Sequence, residues 1–300
     1  MSVEEVTSFV QCGRRFSRDE IEQICETVEL FPALSLRELL ATLCEHLGWY
    51  TAGGGLKSDA CEKLLVKLQE QGLVRLPKKQ GHAPNRRKIA ISSRTQPQAA
   101  IVGSLKELGA VRVQPVEGED KSLADEYLKR YHPLGYRQPF GYRLRYLIET
   151  DRGRVGCLLL CGAAKSLETR DRWIGWTQEQ RLQRLAWVVN LSRHLVFPWV
   201  GVRNLSSHVL GLLWRRLAGD WERRWGYRPV LVETFVDPRY HSGSSYKAAG
   251  WEQVGMTSGE GLVRPGCRYT TTVKRIFVKP LCADFRTLLC SEPAPTRGLQ

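Results

Sequence analysis

The chain has 300 residues, 42% of them hydrophobic and 25% charged; this is enough for two ordinary domains with cores of their own and unlike a disordered or fibrous composition. No apolar run reaches the roughly 18 residues of a membrane span, and Glu4 and Glu5 stand where a secretory leader would carry basic residues, so a cytoplasmic protein without a membrane partner is expected. The formal charge is +14, and because residues 1–90 hold nearly equal numbers of acidic and basic side chains, the excess belongs to the remainder.

Most of those positive residues are arginines, which grip phosphate bidentately and stack on rings, so a polyanion such as DNA is the leading partner; a basic surface that binds nothing is the alternative. The nine cysteines include no CxxC pair, and Cys25, Cys44 and Cys61 fall on helical apolar stripes as core thiols.

In chain order, Ser17 with Glu20 and Ser35 with Glu38 have capping-box spacing and predict two helix starts. Ile21, Ile24, Cys25 and Val28 line one face of the first helix, and Leu36, Leu39, Leu40, Leu43 and Leu47 line the second. Gly53, Gly54 and Gly55 break helicity. A third helix starts at Ser58, buries Cys61, Leu64, Leu65 and Leu68, and ends at Gly72. The following LVRLP predicts a short strand stopped by Pro77. This order, over residues 1–77, predicts a winged-helix-like domain whose last helix offers Lys57, Ser58, Asp59, Lys63 and Lys67 to DNA. A small helical domain that binds protein, with solvated lysines, is the alternative. Residues 78–100 form a basic linker in which Arg86, Arg87 and Lys88 can follow a phosphate backbone or serve as a solvated tether.

From Ile101 to about residue 290, short apolar runs alternate with helical patterns, predicting a mixed α/β sheet covered on both faces, before a tail over 291–300. Strands are predicted at 111–113, 144–149, 155–160, 200–202, 230–236 and 276–278. Helices are predicted at about 123–131, 179–195 and 206–225. The last of these buries Leu210, Leu213, Leu217 and Trp221 and exposes Arg215, Arg216, Arg223 and Arg224.

The segments YHPLGYRQPFGYRLRYLI, RDRWIGW, NLSRHLVFP, NLSSHVL, ETFVD and GSSYKAAGWEQVGMTSG resemble the DruA-like family, named for the Druantia anti-phage system, over roughly Leu105–Leu289. The resemblance implies DNA transactions in mobile elements or defence loci. A weaker similarity is to the GNAT acyltransferase fold, in which strand, long helix, strand and a helix-borne tyrosine acting as general acid correspond here to the run ending at Tyr246 and Trp251. That family's glycine-rich loop cradles the coenzyme A pyrophosphate. Here VRNLSSHVLG puts Leu205 and Ser206 in its place, so acetyl coenzyme A is not expected.

For chemistry on DNA, Asp171, Glu233 and Asp237 are candidate catalytic carboxylates and candidate ligands of magnesium or manganese, since hard oxygen donors suit those ions and a metal activates a nucleophile while neutralising phosphoryl charge. Asp171 pairing with Arg170 or Arg172, and Asp237 as turn chemistry before Pro238, are the plain alternatives. Glu233 inside an apolar strand is the least easily explained by structure alone. Tyr246, beside Lys247 whose charge can help ionise it, is a second candidate, as a nucleophile leaving a phosphotyrosine or as an acid. Arg170, Arg172, Trp173, Arg193 and Lys247 are candidate DNA contacts, aromatics among arginines being suited to unpaired bases. His132 and His241 lie in turns as proton carriers or ligands. The expectation is a transposase-like enzyme of strand cleavage or transfer; a non-catalytic DNA-binding component of a defence complex, oligomeric or not, and an acyltransferase are the alternatives.

Overall fold

In the computed structural model, which describes residues 9–51, 56–77, 89–137, 139, 141–259 and 270–291, Ser17 and Ser35 each accept a hydrogen bond from the amide three residues on. Glu20 and Glu38 each accept one in turn from the serine amide. The chain divides into two compact units, Met1–Arg86 with Gln138–Tyr142, and Arg87–Arg137 with Arg143–Gln300.

The first unit opens with a hairpin of β1 (Phe9–Gln11) and β2 (Arg14–Phe16), followed by α1 (Arg18–Leu30), α2 (Leu36–Leu47) and α3 (Ser58–Glu70). The helices start where the capping serines and Ser58 predict. Ile21, Ile24, Leu39, Leu43, Leu64, Leu65 and Leu68 are sealed between them, with Phe16 packed edge-on against Trp49 at 4.9 Å. Fully burying such side chains contributes about 1.5–3 kcal/mol each, which short helices need because their own propensity is marginal. Tyr142 joins this core, its hydroxyl accepting from the Ala33 amide at 3.0 Å and its ring lying 5.0 Å from Phe31.

The strand expected at LVRLP does not form. The Leu73 amide returns to the Leu68 carbonyl, the Leu76 amide donates to Gln69 Oε1, and Val74 is buried, so the backbone groups that a ladder would use are spent closing α3. The three helices stand; among the described residues the wing does not. Lys63 and Lys67 are exposed on α3 and Lys57 is half-buried before it, while Arg86, Arg87 and Lys88 lie outside the described residues.

In the second unit, β3 (Ile101–Gly103), β4 (Arg112–Pro115), α4 (Asp120–Tyr131), β5 (Arg143–Thr150) and β6 (Gly153–Gly162) lead into α5 (Glu168–Ile174) and α6 (Gln178–Arg184). Then come β7 (Val188–Val196), β8 (Val200–Val202), α7 (Leu205–Trp225), β9 (Leu231–Val236), α8 (Ser244–Ala248), β10 (Glu252–Met256), β11 (Arg275–Pro280) and α9 (Phe285–Cys290). Seven strands form one mixed sheet in the order β10-β11-β9-β7-β6-β5-β4, and β3 pairs with β8 separately. Successive side chains of a strand face opposite ways. Accordingly Leu147 packs with Leu123, Tyr127 and Leu128 of α4, while Tyr146 next to it turns its hydroxyl to Asp220 of α7. The sheet is thus covered on both faces, as its apolar runs predict.

Residues 89–100 are anchored to α4: Glu126 accepts from the Ser92 and Thr95 hydroxyls, Tyr131 donates to the Thr95 carbonyl, and Lys129 donates to that of Ile89.

One expected helix is mostly strand. Residues 178–184 are helical, a single 3-10 turn follows at Leu185–Trp187, and Val188–Val196 is a central strand between β6 and β9. Its i,i+3 apolar spacing fits a helix, but Val188, Val189 and Val196 favour the pleated state, and pairing on both edges decides it.

Candidate functional site

The parallel pairing of β7 and β9 lasts three residues, Val188 to Asn190 against Leu231 to Glu233, and then the strands part. Beyond that point β7 pairs only with β6 and β9 only with β11. Thr234 donates from its hydroxyl to the Leu191 carbonyl at 2.9 Å and closes the base of the opening. On the β6 side the register jumps from Arg193 to Leu191, leaving Ser192 as a bulge that re-aims the residues after it, a device common beside functional sites.

Two turns reach this opening. Arg193 Nε donates to the Gly135 carbonyl at 3.0 Å and Nη1 to the Ser192 carbonyl at 2.8 Å, tying the turn at His132–Gly135 to β7. From the other side, the loop after β9 carries His241 into α8, where Tyr246 sets its ring edge-on to His194 with centroids 6.3 Å apart. Gly243 makes this approach possible: its φ is +81°, and a Cβ there would lie 2.5 Å from the Phe277 ring. Tyr246 stacks on Phe277 at 5.6 Å and meets Trp251 edge-on at 5.2 Å.

The mouth gathers basic side chains, the histidines His132, His194 and His241 beside Arg193 and Arg137. Burial, then His132 and His241, lower the His194 pKa to about 4; burial, then Arg193 and His241, lower His132 to about 4. Burial also draws the basicity of Arg193 down, with Arg137 adding to it and Cys161 opposing. His194 Nε2 is sealed from solvent and has no hydrogen-bond partner among the described residues. Tyr246 runs the other way, its hydroxyl pushed up to about 12 by burial against a smaller opposing bond with Thr234. Lys247, expected to help ionise it, is exposed, and the shift is away from ionisation.

The three candidate carboxylates are placed differently from the metal-site expectation. Glu233 is fully buried: Oε2 meets Arg170 Nη1 at 2.8 Å and Oε1 accepts from the Ala164 amide at 2.8 Å, while Arg170 also donates to the Ala164 carbonyl at 2.9 Å. Arg170, expected on a DNA-facing surface, is itself 0% exposed. Asp171 accepts from Arg170, from Trp176 Nε1 and from the Leu167 amide that opens α5. Asp237 is held by Arg239 and by the Thr272 hydroxyl, which keep its carboxyl well below the usual range despite some burial cost. Glu233 and Asp171 share Arg170 between them, Asp237 does not join them, and no group of three such ligands forms among the described residues. An arginine stands where the ion would have to sit, so the residues present do not fit the expected magnesium or manganese.

Of the remaining expected contacts, Arg172 pairs with Glu168 on an exposed helix face. Trp173 donates to Glu252 and stacks on Phe285 at 5.3 Å under Arg286. Only Arg193, Tyr246 and Lys247 stand at or beside the opening. Sequence reasoning singled out neither His194 nor Thr234 and did not join His132 to His241; reading VVNLSRHLV as a strand would have placed His194 on the same strand as Arg193, just past the point where β7 and β9 part.

These features define a mixed α/β protein whose large sheet opens between the parallel strands β7 and β9 beside a group of histidines and Arg193. The chain belongs to the DruA family, Druantia protein DruA, whose model matches residues 67–265, from within α3 to beyond β10. No curated protein matches the chain. Among solved structures, an aminoglycoside acetyltransferase in complex with coenzyme A and kanamycin is 16% identical, covering 60% of this chain and 99% of that one with a TM-score of 0.37. A Bacillus subtilis acetyltransferase in complex with coenzyme A is 12% identical, covering 58% and 100% with a TM-score of 0.32. A Drosophila melanogaster polyamine N-acetyltransferase is 12% identical, covering 57% and 100% with a TM-score of 0.35. Likeness this loose assigns no cofactor, substrate or residue role to this chain.

Proposed function

We infer that this chain acts on DNA and holds the phosphodiester backbone at the opening between β7 and β9. The supporting observation is electrostatic. His132, His194, His241, Arg193 and Arg137 crowd one mouth while Glu233 and Asp237 of the adjoining strand and its turn are already engaged by Arg170 and Arg239. An anion there would pair with Arg137 and Arg193 and favour protonation of the His132 and His194 rings, and DNA is the polyanion that suits a family linked with an anti-phage system.

Within that reading, His194, neutral at pH 7, takes the proton of an attacking water or hydroxyl as its oxygen bonds to phosphorus. The bridging P–O bond opens and Tyr246 gives its proton to the departing oxygen, so the step is strand cleavage or transfer. Incubation of the full chain with labelled DNA tests this. Binding is expected to weaken steeply with salt, with Arg137→Gln and with Arg275→Gln, Arg275 donating to the Ser242 carbonyl beside His241 at 2.9 Å, and nicking to be lost in His194→Gln and Tyr246→Phe with binding retained. Binding indifferent to salt and to both arginines would overturn it.

A second reading, acyl transfer, is favoured by one feature, a cleft of about 570 Å³ lined by Asn204, Ser207, His208, Gly211, Arg215, Ala248 and other residues at the start of α7 and the end of α8. Against a pyrophosphate cradle, Asn204 occupies the left-handed region at φ 63° and buried Leu205 follows where glycine would open the backbone. Thermal stabilisation by acetyl coenzyme A would favour this reading over DNA.

A further inference from the structure

Two large side chains stand in water at this mouth. Leu134, in the turn held by Arg193, is 62% exposed, and Tyr240, in the loop between β9 and α8, is 71% exposed. Single exposed hydrophobics are ordinary on any surface. Here, however, each sits two residues or fewer from a histidine of the mouth, Leu134 from His132 and Tyr240 from His241, and those two histidines sense each other's charge. Their supports are built. The Leu134 amide donates to His132 Nδ1 at 3.1 Å, and the Gly135 amide returns to the His132 carbonyl at 2.7 Å. The Tyr240 amide donates to the Asp237 carbonyl at 3.2 Å, and Arg275 secures the loop at the Ser242 carbonyl, 2.9 Å away.

Tyr240 also has a cation set against its ring. Both oxygens of Asp237 hold the Arg239 guanidinium, at 3.0 Å through Nε and 2.8 Å through Nη2, and its Cζ lies 5.1 Å from the Tyr240 ring centre. A guanidinium clamped over one face of the ring keeps it in one orientation, and the ring's 71% exposure leaves surface for a base on the other. The result is an exposed, oriented aromatic face beside a recess suited to phosphate, with an aliphatic side chain on the opposing turn.

We propose that Tyr240 and Leu134 are a base-stacking rim and that the site therefore takes unpaired nucleic acid, a single strand or an unstacked end, in preference to intact duplex. The proposal rests on the backbone-binding reading above and names its substrate class. In a duplex the faces of the bases are occupied by their neighbours, so an exposed ring has nothing to stack on; a single strand offers every base. Leu134 would fill the space at the next base step, as apolar wedges do where bases are parted.

The test measures fluorescence anisotropy of the full chain with a labelled oligothymidylate and with a duplex of equal length at low salt. The single strand is expected to bind about ten-fold tighter. Tyr240→Ala and Leu134→Ala should each lower single-strand affinity, by about ten-fold for Tyr240→Ala, and leave duplex affinity unchanged, while Tyr240→Phe keeps it because the ring and not the hydroxyl is used. Both side chains are exposed, so thermal melts of the variants should match the parent. Equal, salt-sensitive binding of both DNAs that neither alanine variant alters would overturn the stacking rim and leave the backbone reading standing. A Tyr240→Phe loss as large as that of Tyr240→Ala would overturn it too, and failure of the chain to bind either DNA would overturn both readings.

Discussion

Glu233 has both oxygens committed, one to the Arg170 guanidinium and one to the Ala164 amide, in a place without solvent. Glu233→Gln therefore leaves a buried arginine short of charge, and the expected loss is about 3–5 kcal/mol of stability by chemical denaturation, with the Glu233→Gln, Arg170→Met double variant recovering part of it. A metal-ligand role would instead remove activity and spare stability. This position was half legible in the sequence: a carboxylate within ETFVD had to have a partner, but nothing in the spacing of 170 and 233 says that the partner is an arginine from a helix 63 residues earlier. The histidines carry a second prediction. His132 and His194 titrate near 4 in the folded chain against about 6.5 when unfolded. The unfolded state thus binds more protons between those values, so stability rises with pH there and is lost as pH falls from about 6.5 toward 4. Melting temperatures across that range should show the slope, and His194→Gln should flatten it.

At the level of elements, the opening exists because β7 and β9 pair for only three residues and then diverge, and because α8 brings Tyr246 back across the gap. Gly243 is the joint of that return. Gly243→Ala places a methyl against Phe277 in a left-handed conformation and is expected to cost about 1–3 kcal/mol, and to reduce DNA affinity as well, since α8 must shift. Melts and binding measured on the same preparation check both. Helices with strong local signals were readable: capping serines and leucine stripes mark α1 and α2 within a residue. Signals set by tertiary pairing were not. β7 carries an apolar spacing that suits a helix as well as a strand, and only its two neighbours decide between them; the wing fails because Gln69 and Leu68 take amides that a ladder would have used.

Over the whole molecule, the formal charge of +14 does not say which arginines a partner would meet. In the second unit Arg145 is bound by Asp125, Arg216 and Arg223 by Asp220, Arg112 by Asp151 and Arg228 by Glu222. Composition correctly located the excess charge in the larger part of the chain but could not separate arginines held inside from those available to phosphate. The slope of log affinity against log salt should be about 0.9 per phosphate held on duplex and about 0.7 on a single strand, and Arg137→Gln should reduce it by about one contact. The central claim, that phosphate sits at the histidine-lined opening, is tested most directly by following the imidazole resonances of the ring-labelled full chain while a single-stranded oligonucleotide is added. The account predicts that the signals of His132, His194 and His241 move together and that the titration of His132 and His194 shifts to higher pH, because a bound anion favours the charged rings. DNA that binds while those three signals stay in place would contradict it.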